Sequence, residues 1–477
     1  MTWSDILLAR LSKHRHTVSG GRTAVAPATR GQQSIWTDIE NLGFDTSFYS
    51  SDVAVRVPAG VGGDAVCEAV MTLARRHDSL RTLFGRDDAG KLIQTVQSTG
   101  TLVVDVCDVE GEAESDPYDA FSRCLTEALG YRFDHHVDWP VRVLLASVDG
   151  APHTVVLVLS QLAADYRSQR ILERELTELL TTPETQLPPP ATQPVELAAL
   201  EESAAGRRAL IRSEQYWRKR LEALPAFGFP EASTPPAQPR YPTVWLRSKA
   251  IVLAADVLCA RHGGSSSSIL LAATALVLGR ATRTPRVPLT LIAGNRTGAG
   301  LDRYVGTLVQ DVPAVVDITG STFATVARDA WKAGIAAYRH AQCTREDGRR
   351  LLAAVSAERG AELNLSCYFN DVRASTRPAP DTNITVDLLR AALADTRVGH
   401  DAGTESDDLT FFLRVRSLGS DEVELHLRAD TARLPANQPA EMLRAIESLL
   451  VAAVETHEDT ALGELLATSC GAIAIGA

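Results

Sequence analysis

Two proline-rich passages constrain this chain more than any other feature. Pro183-Glu184-Thr185-Gln186-Leu187-Pro188-Pro189-Pro190 and the stretch 225–242, which opens on Pro225 and closes on Pro242, can neither continue a helix nor enter the middle of a sheet. They divide 477 residues, too many for one hydrophobic core, into two halves. The segment between them, around 195–223, carries Tyr216 and Trp217 and reads as helical. The expected boundaries are a flexible lead-in over 1–24, an N-terminal subdomain over 25–182, a linker with a helical segment over 183–242 and a C-terminal subdomain over 243–477. The lead-in is polar and basic, with Lys13-His14-Arg15-His16 and Gly20-Gly21.

In the first half, Asp64 precedes Val66, Val70, Leu73 and Ala74, which share one face of a helix over 64–77. Leu83-Phe84 and Leu92-Ile93-Gln94-Thr95-Val96 flank Asp87-Asp88-Ala89-Gly90, a hairpin pattern. A second hairpin joins 141–148 to 153–159 through Asp149-Gly150. Its second strand holds the unbroken apolar run Val155-Val156-Leu157-Val158-Leu159, which gives way to Ser160-Gln161-Leu162-Ala163-Ala164-Asp165-Tyr166-Arg167-Ser168. A helix pattern follows, with Ile171, Leu172, Leu176, Leu179 and Leu180 on one face. A strand that ends in a polar turn and feeds a helix presents side chains from rigid backbone. In the second half, Ser265-Ser266-Ser267-Ser268 precedes a helix over 269–278, and an extended run over 286–293 ends at Gly294-Asn295-Arg296. Strand-like runs recur at 312–316, 363–369, 409–415 and 423–427, and a helix over 439–454 closes the half. Both halves are α+β, and pockets form preferentially between such halves.

Composition removes several function classes. Apolar residues at 45% and charged residues at 22% describe a globular protein, and a net charge of −11 argues against nucleic-acid binding. No run approaches a membrane span, and Met1-Thr2-Trp3-Ser4-Asp5 does not begin a signal peptide, so a cytoplasmic location is expected. The seven cysteines, Cys67, Cys107, Cys124, Cys259, Cys343, Cys367 and Cys470, lack the spacing of a metal knuckle or redox pair and read as small buried residues. The eleven histidines show no metal spacing, and no metal is expected. His135-His136 is set aside because neighbours on a strand point to opposite faces. Gly294-Asn295-Arg296-Thr297-Gly298-Ala299-Gly300 lacks a phosphate-loop ending and reads as an ordinary loop. The mixed run Arg345-Glu346-Asp347-Gly348-Arg349-Arg350 reads as surface.

A succession of segments resembles the condensation domains of nonribosomal peptide synthetases, within the chloramphenicol-acetyltransferase-like superfamily. Pro27, Gln32 and Trp36 resemble the opening motif, and Arg76-His77-Asp78-Ser79-Leu80-Arg81-Thr82-Leu83-Phe84 is close to Arg-His-Glu-x-Leu-Arg-Thr-x-Phe. Gln215-Tyr216-Trp217-Arg218-Lys219-Arg220-Leu221 resembles Tyr-Trp-x-x-x-Leu. Asn295-Arg296 and Tyr304-Val305-Gly306-Thr307-Leu308-Val309-Gln310-Asp311-Val312-Pro313 resemble the family's Asn-Arg and Val-Gly-x-Phe-Val-Asn-Thr-x-Pro. The order holds from about residue 25 to 460.

This resemblance implies two acetyltransferase-like subdomains in a V-shaped pseudo-dimer with an active-site tunnel between them. The family's defining His-His-x-x-x-Asp-Gly falls on residues 160–166, where Ser160 and Gln161 replace the two histidines, Asp165 matches and Tyr166 replaces the glycine. Against the Asp-x-x-x-x-Asp-x-x-Ser of heterocyclisation domains, Asp165 and Ser168 match and Ser160 does not. An imidazole accepts a proton near neutral pH, whereas a Gln amide offers only hydrogen bonds. Gln161 and Ser160 are therefore the candidate catalytic positions, with Asp311, where the family has Thr, as a carboxylate that could replace the base. Asp165 and Arg296 are the implied structural ion pair, and Tyr166, Gln310 and Asn370 the implied tunnel lining. The expected activity is that of a free-standing condensation-type acyltransferase joining an amine or alcohol to an acyl thioester on a peptidyl or acyl carrier protein. The substrate would ride on the carrier's phosphopantetheine arm, with no cofactor bound by this chain, no nucleic acid or membrane as partner, and a monomeric state. The alternatives are a noncatalytic recruitment platform for carrier-bound intermediates or tailoring enzymes, and cyclisation or dehydration of a tethered substrate.

Overall fold

The computed structural model describes residues 9–42, 49–109, 117–190, 192–232, 234–298, 300–373, 384–405 and 407–469. It forms two compact units, one of Met1–Leu210, Gly294–Gln310 and Thr344–Glu346, the other of Ile211–Ala293, Asp311–Cys343 and Asp347–Ala477. The chain passes from one to the other inside a helix, Ala204–Glu222, and not in coil.

The first unit holds β1 (Ala9–Val18), β2 (Ala24–Pro27), β3 (Ser50–Arg56), β4 (Thr82–Arg86), β5 (Leu92–Val96), β6 (Gly100–Val109), β7 (Val141–Val148) and β8 (Ala151–Ser160). They make a five-stranded sheet, β1-β6-β7-β8-β3, and a three-stranded one, β2-β5-β4. Asp149 and Gly150 both have left-handed backbone, φ 49° and 78°, as a two-residue hairpin requires, which pairs Val148 with Ala151; a register shift between Ala146 and Ser147 then sets Val141 opposite Leu159. The small sheet packs on α1 (Arg30–Leu42), where Ile35 and Trp36 meet Phe84 and Leu92.

The unbroken apolar run in β8 has a direct cause, since both of its faces are covered. Val155, Leu157 and Leu159 join the core formed with α2 (Gly63–Arg76) and α4 (Tyr166–Thr181). Val156 and Val158 join a second core with Cys124 and Leu125 of α3 (Pro117–Leu129). All five are fully buried, and their removal from water contributes on the order of 10 kcal/mol.

Residues 1–24 are not a free lead-in over the described part, because β1 pairs antiparallel with β6 along its whole length. An edge strand needs hydrogen bonds on one side only, and its charged side chains, among them Lys13 against Asp105 at 3.5 Å, suit that position. Cys107 and Cys124 are free and buried, as the cysteine reading expects. Cys107 of β6 and Cys124 of α3, 17 residues apart, have Sγ atoms 2.7 Å from each other, and burial pushes the Cys107 thiol upward. Cys470 lies outside the described residues.

The second unit is α+β like the first. Its strands are β9 (Tyr241–Ser248), β10 (Arg286–Ala293), β11 (Gln310–Asp317), β12 (Cys367–Asp371), β13 (Arg397–Thr404), β14 (Phe411–Leu418) and β15 (Glu422–Ala429). They form one sheet, β11-β10-β12-β14-β15-β9-β13, with β10, β12 and β14 parallel. The serine run has a structural use: Ser265 caps the helix Ser266–Thr282 by reciprocal bonds with Ser268. Strand β13 carries no apolar alternation; it pairs with β9 because Gly399 leaves room for the Trp245 ring, which an added Cβ would meet at 2.1 Å. Among the described residues no single helix is long and apolar enough to cross a membrane.

Candidate functional site

Strand β8 ends at Ser160, whose N–H donates to the Pro140 carbonyl at 3.0 Å. The Ser160 carbonyl accepts from Ala163 and Ala164 N–H at 2.9 and 3.2 Å, which folds residues 160–164 into a tight turn. Ser160, Leu162, Ala163, Ala164 and Asp165 are all buried. Gln161 alone in the turn is half-buried; its N–H donates to the Tyr49 carbonyl at 2.8 Å. The turn therefore offers one side chain to a ligand, the Gln161 amide.

Asp165 ends the turn and caps α4. Its Oδ1 accepts from Ser168 N–H at 2.9 Å and from Arg296 Nη2 at 2.5 Å, and its Oδ2 accepts from Leu308 N–H at 3.2 Å. The Ser168 hydroxyl lies 2.7 Å from the Gly306 carbonyl and accepts from Gly306 N–H at 3.0 Å and Arg296 Nη2 at 2.9 Å. Arg296 also donates from Nη1 to the Tyr304 and Leu301 carbonyls, at 2.7 and 3.1 Å. The segment 294–310, part of the first unit, is thus fastened to the start of α4 by one carboxylate, one guanidinium and one hydroxyl.

Gly306 is required there. Its φ is 155°, and a Cβ would come within 2.4–2.6 Å of the buried Tyr304 ring. Gly306→Ala is expected to destabilise the protein by about 2 kcal/mol or more, read as a fall in the urea midpoint.

His135 belongs to the site although its pattern argued against it. Residues 134–138 are a turn, not a strand: Val137 and Asp138 N–H donate back to the Asp134 carbonyl at 3.0 and 2.7 Å. His136 is exposed, but the His135 imidazole is buried among Trp36, Phe84 and Phe133, and its Nε2 lies 2.8 Å from Ser160 Oγ. Burial pushes His135 down to about 4, outweighing Asp138 and Asp134, so the ring is neutral at physiological pH.

The remaining candidates divide between the two units. Tyr166 is the first residue of α4 and 41% exposed, whereas Gln310 is 2% exposed and its Oε1 accepts from the Ser34 hydroxyl at 2.7 Å. Both belong to the first unit with Ser160, Gln161, Asp165 and Arg296; Asp311 and Asn370, the latter half-buried on β12, belong to the second. Burial, with Asp408 adding to it, pushes the Asp311 carboxyl up to about 7.

The sequence matches the family described as Condensation domain over residues 23–353. It is 27% identical over 337 residues to the probable non-canonical nonribosomal peptide synthetase CymA of Salinispora arenicola, covering 67% of this chain and 4% of that protein. It is 26% identical over 435 residues to N-(5-amino-5-carboxypentanoyl)-L-cysteinyl-D-valine synthase of Amycolatopsis lactamdurans, covering 86% of this chain and 11% of that protein. The chain therefore spans a small part of the curated relatives' length. In fold it is similar to the X-domain solved in complex with OxyB from teicoplanin biosynthesis, with TM-score 0.68, 19% identity and 94% and 97% of the two chains covered. It is also similar to SgcC5 of Streptomyces globisporus, with TM-score 0.65, 21% identity and 90% and 98% covered.

Proposed function

Since the chain belongs to the condensation-domain family, we propose that it acts in nonribosomal peptide or hybrid natural-product biosynthesis and joins an amine or alcohol to an acyl thioester held on a carrier protein. One observation carries this reading: of residues 160–165, only Gln161 reaches out of a turn that is otherwise buried and fastened through Asp165 to Arg296. For an amine the step is attack of the free-base nitrogen on the thioester carbonyl. The new C–N bond forms, the C–S bond breaks, and the nitrogen's proton ends on the departing carrier thiol. A Gln amide does not take that proton; it orients the nucleophile or holds the carbonyl oxygen. Absence of a motif base costs about 10²- to 10⁴-fold, so turnover is slow relative to an imidazole-bearing enzyme. Asp311, where the family motif has Thr, is assigned as a candidate base by motif register alone; burial pushes its carboxyl up to about 7.

The test is incubation with acyl-loaded carrier proteins and amine donors, following tethered species by intact-protein mass spectrometry. Wild type is expected to form product, and Gln161→Ala to slow it by about tenfold to a hundredfold. Asp311→Asn is expected to slow it too; unchanged turnover would remove Asp311 from the mechanism. Loss of the mass of water from the carrier-bound species would point to cyclisation or dehydration instead.

A second reading, a noncatalytic platform that recruits carrier-bound intermediates or tailoring enzymes, is favoured by the absence of an accessible imidazole in the turn. The X-domain similar in fold was solved bound to OxyB. Binding of loaded carrier by wild type without any product would establish this reading over the first.

A further inference from the structure

We propose that His135 is a positioning residue for Gln161: its imidazole holds Ser160 and thereby sets the turn from which the Gln161 amide is presented. The inference rests on the reading that Gln161 meets the substrate. In the motif register an imidazole belongs at position 160, where this chain has Ser160. An imidazole nevertheless stands against that position: it comes from residue 135, with Nε2 2.8 Å from Ser160 Oγ.

The geometry fixes every part of this connection. Trp36 and Phe84 meet the His135 ring edge-on at centroid distances of 6.2 and 6.4 Å, and Phe133 lies at 5.9 Å. The His135 carbonyl accepts from Phe84 N–H at 2.8 Å, which ties its backbone to β4. The ring therefore has little rotational freedom, and its Nε2 stands 2.8 Å from Ser160 Oγ. The same oxygen accepts from Leu162 N–H at 3.3 Å, so it braces the backbone on the far side of Gln161. Gln161 is held from before and after by Ser160, and from its own N–H by the Tyr49 carbonyl.

Neither Ser160 nor His135 is placed to do chemistry itself. Both are buried, at 1% and 5% exposure, and burial keeps the imidazole neutral and weakly basic. Of the groups around it, Asp138 and Asp134 push the other way without reversing that, and His136 adds to it. A residue of this kind acts through the amide it positions, where a displacement of about 1 Å can cost as much as 10²-fold in rate.

The experiment compares His135→Leu, His135→Gln and Ser160→Ala in the full chain. Two readouts are used: kcat and KM in the carrier assay, and the side-chain amide resonances of Gln161 by ¹⁵N NMR. We expect His135→Leu to lower kcat about tenfold with KM within about twofold, and to shift the Gln161 amide resonances. His135→Gln, which keeps a hydrogen-bonding group at the position of Nε2, is expected to restore most of both. Equal losses in His135→Leu and His135→Gln, or unchanged kcat in a folded His135→Leu, would overturn the proposal. If His135→Leu does not fold, Ser160→Ala breaks the same bond from the other end by removing one oxygen and must show the same loss. If wild type forms no product at all, the functional reading fails, and the NMR readout still decides the positioning: Gln161 resonances unmoved in Ser160→Ala overturn it.

Discussion

Arg296→Ala is expected to destabilise the protein by about 3–5 kcal/mol, the cost of leaving a buried charge without its partner. Asp165 is buried and Arg296 only 12% exposed, so solvent does little to replace the lost contact. The loss reaches beyond the ion pair, because the same guanidinium holds the Leu301 and Tyr304 carbonyls and the Ser168 hydroxyl. Arg296→Lys keeps the charge but not the planar fork and should fall between wild type and Ala. For a chain of this size the Ala variant should melt roughly 3–5 degrees lower by calorimetry. An unchanged melting temperature would mean that the pair contributes nothing to stability.

The second large effect is at acid pH. His135 titrates at about 4 in the folded protein against about 6.5 when unfolded, so between those values the unfolded chain binds the extra proton. Stability from this group is complete above about pH 6.5 and is lost as pH falls to about 4, by about 3 kcal/mol in all. Glu201 and Asp311, whose carboxyls burial raises to about 7, act in the opposite direction, favouring the folded state as pH falls. The measurement is therefore a difference: urea unfolding of wild type and His135→Gln at several pH values. The gap between the two should change by about 3 kcal/mol between pH 7 and 4. A constant gap would mean that the imidazole is not buried as described.

The contrast between Asp165 and His135 shows what kind of information the sequence carried. The partner of Asp165 was legible 131 residues away, because Asn295-Arg296 and the segment after it stand in motif register. The two hairpins were legible because Asp149-Gly150 and Asp87-Asp88-Ala89-Gly90 are local turn chemistry. His135 was not, since nothing within five residues of it signals Ser160. The link depends on β7 and β8 pairing so that Pro140 meets Ser160, and on the turn over 134–138 folding back. Strands β1 and β13 escaped notice for a related reason. Edge strands are held by backbone bonds, and β1 is charged while β13 is built around Gly399, so neither shows apolar alternation.

That residues 294–310 fold into the first unit has a consequence for how the chain is made. A fragment ending near residue 210 would contain Asp165 and Ser168 but none of the groups that satisfy them from 296–308. On the ribosome this fragment is the natural state of affairs for a time. At 5–20 residues per second, the hundred residues after 210 take roughly 5–20 seconds to emerge, and during that interval the Asp165 carboxylate keeps its bond to Ser168 N–H but lacks Arg296 and the Leu308 N–H. The first unit is completed out of order, and only after two strands of its neighbour, β9 and β10, have left the exit tunnel can Arg296 close it.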